Sequence, residues 1–129
     1  MNIKVMIVDD SSTMRRIISS VVKQIGIDED YIGLAVDGMD ALGQLKSTKY
    51  DLVLTDWNMP KMNGLQLVKN LRTLPKYATT PILMITTEGG KSEVVTALKS
   101  GVNNYIVKPF SAETLKAKLE PLLKDLSKK

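Results

Sequence analysis

Five short apolar runs alternate along the chain with five segments of helical periodicity. The first run, Ile3-Lys4-Val5-Met6-Ile7-Val8, lies in an apolar stretch from Met1 that ends in two acids, Asp9 and Asp10. Met14, Ile17, Ile18, Val21, Val22 and Ile25 then recur at spacings of three and four, which predicts one apolar helix face. Gly26 suits the position that closes a helix. Tyr31 to Ala35 predicts a weaker strand, and Asp37 to Lys46 a helix with Met39, Ala41, Leu42 and Leu45 inward. Leu52 to Thr55 predicts the third strand. The loop Asp56 to Asn63 leads through Gly64 into a helix carrying Leu65, Leu67, Val68 and Leu71. Pro81 opens the fourth strand, Ile82 to Thr86. Gly89-Gly90 precedes a helix with Val94, Val95, Ala97 and Leu98, which Gly101 ends. Tyr105 to Val107 predicts the fifth strand, and Leu115, Leu119, Leu122, Leu123 and Leu126 the last helix. Pro121 removes a backbone donor there and is expected to kink or fray it.

The first, third and fourth strands are almost continuously apolar, the mark of strands buried on both faces of a parallel sheet. Strict alternation of strand and helix predicts right-handed βαβ units, so the expected class is α/β, a doubly wound sheet of five strands with five helices. At 129 residues the chain is expected to form one domain, 1–129, with no room for an output domain.

Composition narrows the chemistry. With no Cys and no His there is no disulfide, no thiolate or imidazole metal site, and no phosphohistidine within this chain. The net charge of +4 comes from 15 Lys and 3 Arg, scattered in the manner of a solvated surface. Nucleic-acid binding would call for clustered Arg or interleaved aromatics, so no nucleic acid is expected. Nothing resembles a signal peptide or a membrane span, so a cytoplasmic protein without membrane insertion is expected.

In an open parallel sheet, ligands bind beyond the carboxyl ends of the strands. Asp9 and Asp10 follow the first strand and Asp56 the third. The fourth ends in Thr86, followed by Thr87 and Glu88, and the fifth is followed by Lys108 and Pro109. Three carboxylates gathered on one edge repel unless a cation joins them. Oxygen donors without His or Cys imply a hard divalent ion, and Mg²⁺ takes one or two carboxylates together with phosphate oxygens. A phosphoryl group bound there would meet Mg²⁺, Lys108 and the Thr86 hydroxyl, and one carboxylate could act as nucleophile. Each element alone has an ordinary meaning: a helix cap, a turn, loop chemistry, strand propensity. Their joint placement at successive strand ends is what argues for a site.

The strings Val8-Asp9-Asp10-Ser11, Thr55-Asp56-Trp57-Asn58-Met59-Pro60, Asn63-Gly64, Ile85-Thr86 and Val107-Lys108-Pro109-Phe110 resemble response-regulator receiver domains. The stretches Ser12 to Ile17 and Asp56 to Gly64 resemble the single-domain chemotaxis receivers of the CheY type. The resemblance spans nearly the whole chain and implies a flavodoxin-like strand order 2-1-3-4-5. It implies Asp56 as phosphoacceptor, with Asp10, Asp56 and the Asn58 backbone carbonyl as Mg²⁺ ligands and Asp9 assisting the metal. It implies Lys108 on the phosphoryl group with a cis bond to Pro109, and Thr86 and Tyr105 as switch residues. It also implies that Asn58 and Glu88 tune phosphoryl lifetime. Thr87, Ser11 and Pro121 depart from the common pattern.

The function implied is a phosphorylation-activated switch, expected to be a monomer and to turn over only its own phosphoryl group. Its partners would be a sensor histidine kinase as donor, a flagellar motor switch protein as target, and a phosphatase. The output surface would be the fourth helix, fifth strand and last helix, with Lys91, Lys99, Lys116 and Lys118. A stand-alone relay protein or a phosphate sink is the alternative. A haloacid-dehalogenase-like phosphatase would place a second Asp where Asn58 stands, and a flavodoxin would place a Ser/Thr/Gly-rich loop where Asp9-Asp10 stand.

Overall fold

The structure is a computed structural model that describes residues 2–128; Met1 and Lys129, and so the first residue of the predicted apolar stretch and the ends of the expected domain, lie outside them. Five parallel strands, β1 (Val5–Val8), β2 (Ile32–Ala35), β3 (Leu52–Thr55), β4 (Ile82–Thr86) and β5 (Asn104–Val107), alternate with five helices. These are α1 (Ser12–Ile25), α2 (Gly38–Ser47), α3 (Gly64–Arg72), α4 (Lys91–Ser100) and α5 (Ala112–Ser127). The strand order is β2-β1-β3-β4-β5, as the resemblance implied.

β1, β3 and β4 are buried at every position, which is why their sequences carry no alternation. β2 and β5 are the edges and keep exposed positions. One apolar layer packs α1 and α5 on the sheet through Ile18, Val21, Val22, Leu115, Leu119 and Leu123. The other packs α2 and α3 through Ala41, Leu42, Leu45, Leu67, Val68 and Leu71. Each fully buried aliphatic side chain contributes about 1.5–3 kcal/mol relative to exposure.

Three expectations change. Ile17 and Met39 are exposed rather than inward. Ile17 lies about 90° round the helix from the centre of its stripe, and Met39 is about as far from the Ala41–Leu45 face. Most of the α4 stripe is also outside the core: Ala97 alone is buried in that helix, while Val95 and Leu98 are 42% and 46% exposed. α5 runs from Ala112 to Ser127 with Pro121 inside it, and Leu119 and Leu123 are buried on either side of the proline. Tyr31 belongs to a single 3₁₀ turn ahead of β2, capped by the Asp28 side chain.

The helix starts follow local chemistry. Ser11 caps α1 by accepting the Met14 N–H, Asp37 caps α2, and Ser111 caps α5. Asn63 and Gln66 form a reciprocal capping box at α3. α4 begins at Gly90 with no side-chain cap.

Candidate functional site

β1 and β3 are sequence-distant neighbours on either side of the point where strand order reverses, so their carboxyl ends open a crevice. Asp9 and Asp10 leave β1 there, and Asp56 leaves β3. One carboxylate oxygen from each of the three lies within 4.8 Å of the others. Asp9 and Asp56 are buried and Asp10 is exposed.

Asp9 is held on all sides. Its N–H donates to the Ala35 carbonyl, Oδ1 accepts the Ser11 N–H at 2.9 Å, and Oδ2 accepts Lys108 Nζ at 2.7 Å. Its carbonyl accepts Arg15 Nη1 at 2.7 Å. Asp56 is fixed through its backbone: its N–H donates to Val8, and its carbonyl accepts the Thr55 hydroxyl. Of its carboxylate, Oδ1 accepts the Trp57 N–H at 2.7 Å and Oδ2 accepts Lys108 at 3.2 Å. Lys108 therefore bridges two carboxylates. Burial would lower its pKa, but the hydrogen bond to Asp9 and the charges of Asp56 and Asp9 outweigh burial and raise it.

Gly64 explains the Asn63-Gly64 string. A Cβ at Gly64 would stand 1.9 Å from the Asp56 carbonyl oxygen, so only glycine lets the start of α3 pass so close to Asp56. Its N–H donates to the Trp57 carbonyl at 2.7 Å, closing the loop. Within that loop Lys61 has φ 67°, a left-handed conformation that costs a non-glycine residue of order 1 kcal/mol. The Lys108–Pro109 bond is cis.

Glu88 ties the remaining residues together. Its side chain accepts Asn58 Nδ2 at 2.8 Å, its N–H donates to Thr86 Oγ1 at 3.4 Å, and its carbonyl accepts the Tyr105 hydroxyl. Thr86 is fully buried, and its hydroxyl oxygen is engaged with this loop. Tyr105 is partly buried, and its pKa is pushed up to about 12, first by burial, then by the charges of Glu88, Glu93 and Asp56. Glu88 is thus a junction between Asn58, Thr86 and Tyr105, which its place in the sequence did not reveal.

The donor set suits a hard cation. Three carboxylates face one ammonium, two of the three are buried, and every donor is oxygen; one divalent ion such as Mg²⁺ would balance the excess charge. Arg15 belongs to the site as well, and sequence pattern alone does not single it out. Its signal is faint: a cation in the opening turns of a helix whose first turn has no acid.

Three comparisons bear on this arrangement. Residues 5–120 match the family described as response regulator receiver domain. The chain is 54% identical over 121 residues to a Campylobacter jejuni protein named chemotaxis protein CheY homolog, covering 93% of this chain and 92% of that one. It is equally identical over the same length to chemotaxis protein CheY1 of Helicobacter pylori, covering 93% and 96%. The solved structure of the chemotaxis response regulator CheY4 of Vibrio cholerae superposes with a TM-score of 0.86 at 34% identity, covering 95% of this chain and 99% of that one. An acidic crevice at the β1/β3 switch point, faced by a lysine after β5 and matched along 5–120, makes this chain a member of the response regulator receiver domain family.

Proposed function

We propose that the chain is a chemotaxis response regulator switched by phosphorylation of Asp56. The observation that carries this reading is the Asp56 carboxylate, buried beside Asp9 and Asp10, with one oxygen on Lys108. The chemotaxis names of relatives identical at 54% support the physiological role.

In the proposed reaction an Asp56 carboxylate oxygen attacks the phosphorus of a phosphohistidine on a sensor kinase. The new O–P bond forms as the P–N bond breaks, and the leaving imidazole takes up a proton from solvent. Mg²⁺, held by Asp10 and Asp56 with the Asn58 carbonyl and assisted by Asp9, would neutralise charge at the transferring group. Lys108 exchanges its contact with Asp56 Oδ2 for a phosphoryl oxygen, while Asp9 keeps its ammonium in place. The Thr86 hydroxyl gives up the Glu88 N–H and donates to a second phosphoryl oxygen. That frees the Glu88 loop and the space into which Tyr105 turns, a two-state element biased by one local charge. Asn58 and Glu88, bonded to each other at the mouth of the crevice, control access of the hydrolysing water and so phosphoryl lifetime. The chain turns over its own phosphoryl group and no external substrate.

The output surface of this reading is α4, β5 and α5. Val95, Leu98 and Val107 are 42%, 46% and 42% exposed there; Lys91 and Lys99 stand one helical turn either side of Val95 on α4, and α5 carries Lys116. Such a face suits a flagellar motor switch protein presenting an acidic amphipathic segment, and it suits a phosphatase of the same kind. The place of action is the cytoplasm; no helix among the described residues is long and apolar enough to cross a membrane.

The test has two arms. Acetyl phosphate with Mg²⁺ should label the parent chain and not Asp56→Asn. Beryllofluoride should shift amides of α4 and β5 and increase capture of a motor switch protein. Equal labelling of both chains would reject Asp56. Labelling with amide shifts confined to the crevice loops would leave a relay protein or phosphate sink.

A further inference from the structure

Where β1 leaves the sheet, the Asp9 carbonyl has no strand to pair with. The neighbouring bonds are already assigned: Asp9 N–H to Ala35 on one side, Asp56 N–H to Val8 on the other. A buried carbonyl without a donor is costly, and here the donor is Arg15 Nη1 at 2.7 Å, reaching back from the start of α1.

The choice of an arginine is informative because its position is unfavourable for helix electrostatics. The first turn of α1 contains no acid, and a cation near a helix N-terminus opposes the macrodipole. A contact that outweighs this is a contact the chain uses. Arg15 makes no ion pair among the described residues; its partner at this end is a backbone oxygen belonging to a residue of the acidic crevice. Lysine would offer the same carbonyl a freely rotating ammonium with three donors, whereas guanidinium is a planar fork that holds one geometry.

We propose that Arg15 is a positioning residue for the metal-holding loop: by fixing the Asp9 carbonyl it sets where the Asp10 carboxylate stands relative to Asp56. The inference rests on the receiver reading of the crevice and adds a residue to it. Asp9 and Asp56 are each fixed by further bonds. Asp10 is exposed, and its placement depends on the backbone that Arg15 anchors at one end and Ser11 at the other. Asp10 is the ligand whose position the loop must supply.

The sign of the effect separates this role from simple electrostatics. Removing a positive charge near a cation site strengthens cation binding by Coulomb's law. Removing an anchor weakens it. Arg16, the adjacent exposed cation on α1, provides the charge control. Arg15 lines an open groove with Ser12, Arg16 and Ser19, so a shorter side chain leaves no sealed cavity and the variants should fold.

The experiment is Mg²⁺ titration followed by Trp57 fluorescence on the parent, Arg15→Met, Arg15→Lys and Arg16→Met. Trp57 is the chain's single tryptophan, and its backbone N–H donates to Asp56 Oδ1. Arg15→Met should bind Mg²⁺ about ten-fold more weakly, the scale found for residues that orient metal ligands. Arg15→Lys should fall between it and the parent, and Arg16→Met should bind as tightly or slightly more tightly. A metal-free readout accompanies it: the Ser11 amide resonance should shift in Arg15→Met and not in Arg16→Met. Unchanged or tighter Mg²⁺ binding by Arg15→Met, or an unmoved Ser11 amide, overturns the proposal. A parent chain that binds no Mg²⁺ overturns the receiver reading instead, and the Ser11 amide still decides whether Arg15 sets the loop.

Discussion

The two ends of the sheet hold polar side chains in opposite ways. At the carboxyl end, Asp9 and Asp56 share one ammonium, Asp10 lies beside them, and charge is left uncompensated. At the amino end, Arg72 satisfies itself on neutral oxygens. Its Nε and Nη2 donate to the Gly101 carbonyl at 3.1 and 2.7 Å, Nη1 to the Tyr77 carbonyl at 2.8 Å, and Nη2 also to Asn103 Oδ1 at 2.9 Å. Asn103 Oδ1 accepts the Ile82 N–H as well, joining the ends of α3 and α4 to the start of β4. Fully buried Tyr77 is satisfied likewise: its single hydroxyl proton is shared between the Leu45 and Thr48 carbonyls, and its oxygen accepts the Tyr50 N–H. One end is closed and structural, while the other keeps unbalanced charge that a ligand can meet. The lesson is that a buried polar group reports function when its environment leaves it unfinished, not when it is merely buried.

The sharpest break in this comparison is at Asp56. Asp56→Asn should abolish acetyl phosphate labelling altogether while its melting temperature stays level or rises, since one of three clustered negative charges is gone. Mass spectrometry and thermal unfolding of the same sample check both halves. A large loss of stability would show that the carboxyl end is structural too.

Arg72→Met should do the reverse. It strips the donor from two backbone carbonyls, and hydrogen bonds from charged donors are worth about 1.5–3 kcal/mol, so a loss of about 2–3 kcal/mol is expected by urea unfolding. Labelling of the folded protein should be unchanged.

Tyr77→Phe keeps the ring in the core but leaves the Leu45 and Thr48 carbonyls and the Tyr50 N–H without their partner. About 1–2 kcal/mol of stability should go, again with labelling intact. A result near zero would mean that the network at the amino end relaxes freely.

The smallest effect is on the pH dependence of stability. Lys108 has a pKa raised above 10.5, so its bridge stabilises the fold below that value and is lost as pH climbs through the raised one. Tyr105, pushed up from 10.0 to about 12, favours the neutral phenol in the fold, so its contribution also disappears between those values. Stability should therefore fall above about pH 10, and Lys108→Met with Tyr105→Phe should flatten that fall in urea titrations.

How much of this was legible differs between strands and helices. The doubly buried strands β1, β3 and β4 announce themselves as apolar runs, and each run ends in or leads directly into a site residue. Asp9, Asp10, Asp56 and Thr86 could therefore be picked from their places at these strand ends, and Lys108 from its place after β5. Helix faces were less legible. Ile17, Met39, Val95 and Leu98 fit the apolar period but are exposed, because period specifies a stripe and not its width or what covers it. Arg15 and Arg72 were missed, and the backbone links of Glu88 were not foreseen, for another reason. Each acts wholly or partly through backbone groups, and backbone partners leave no signature in residue type.

The sequence by itself therefore determined the alternation of strand and helix, the parallel sheet, and the identity of the groups at its carboxyl edge. These come from local period and from the rule that ligands bind where strands end. Only the tertiary structure decided how those groups are shared: that Lys108 bridges Asp9 and Asp56, that Glu88 joins Asn58 to Thr86 and Tyr105, and that Arg15 holds the Asp9 carbonyl. The physical reason is range. Hydrophobic pattern acts over one helical turn or one strand pleat, whereas the Lys108–Asp9 contact spans 99 positions of chain and exists only once the sheet has brought its strand ends together.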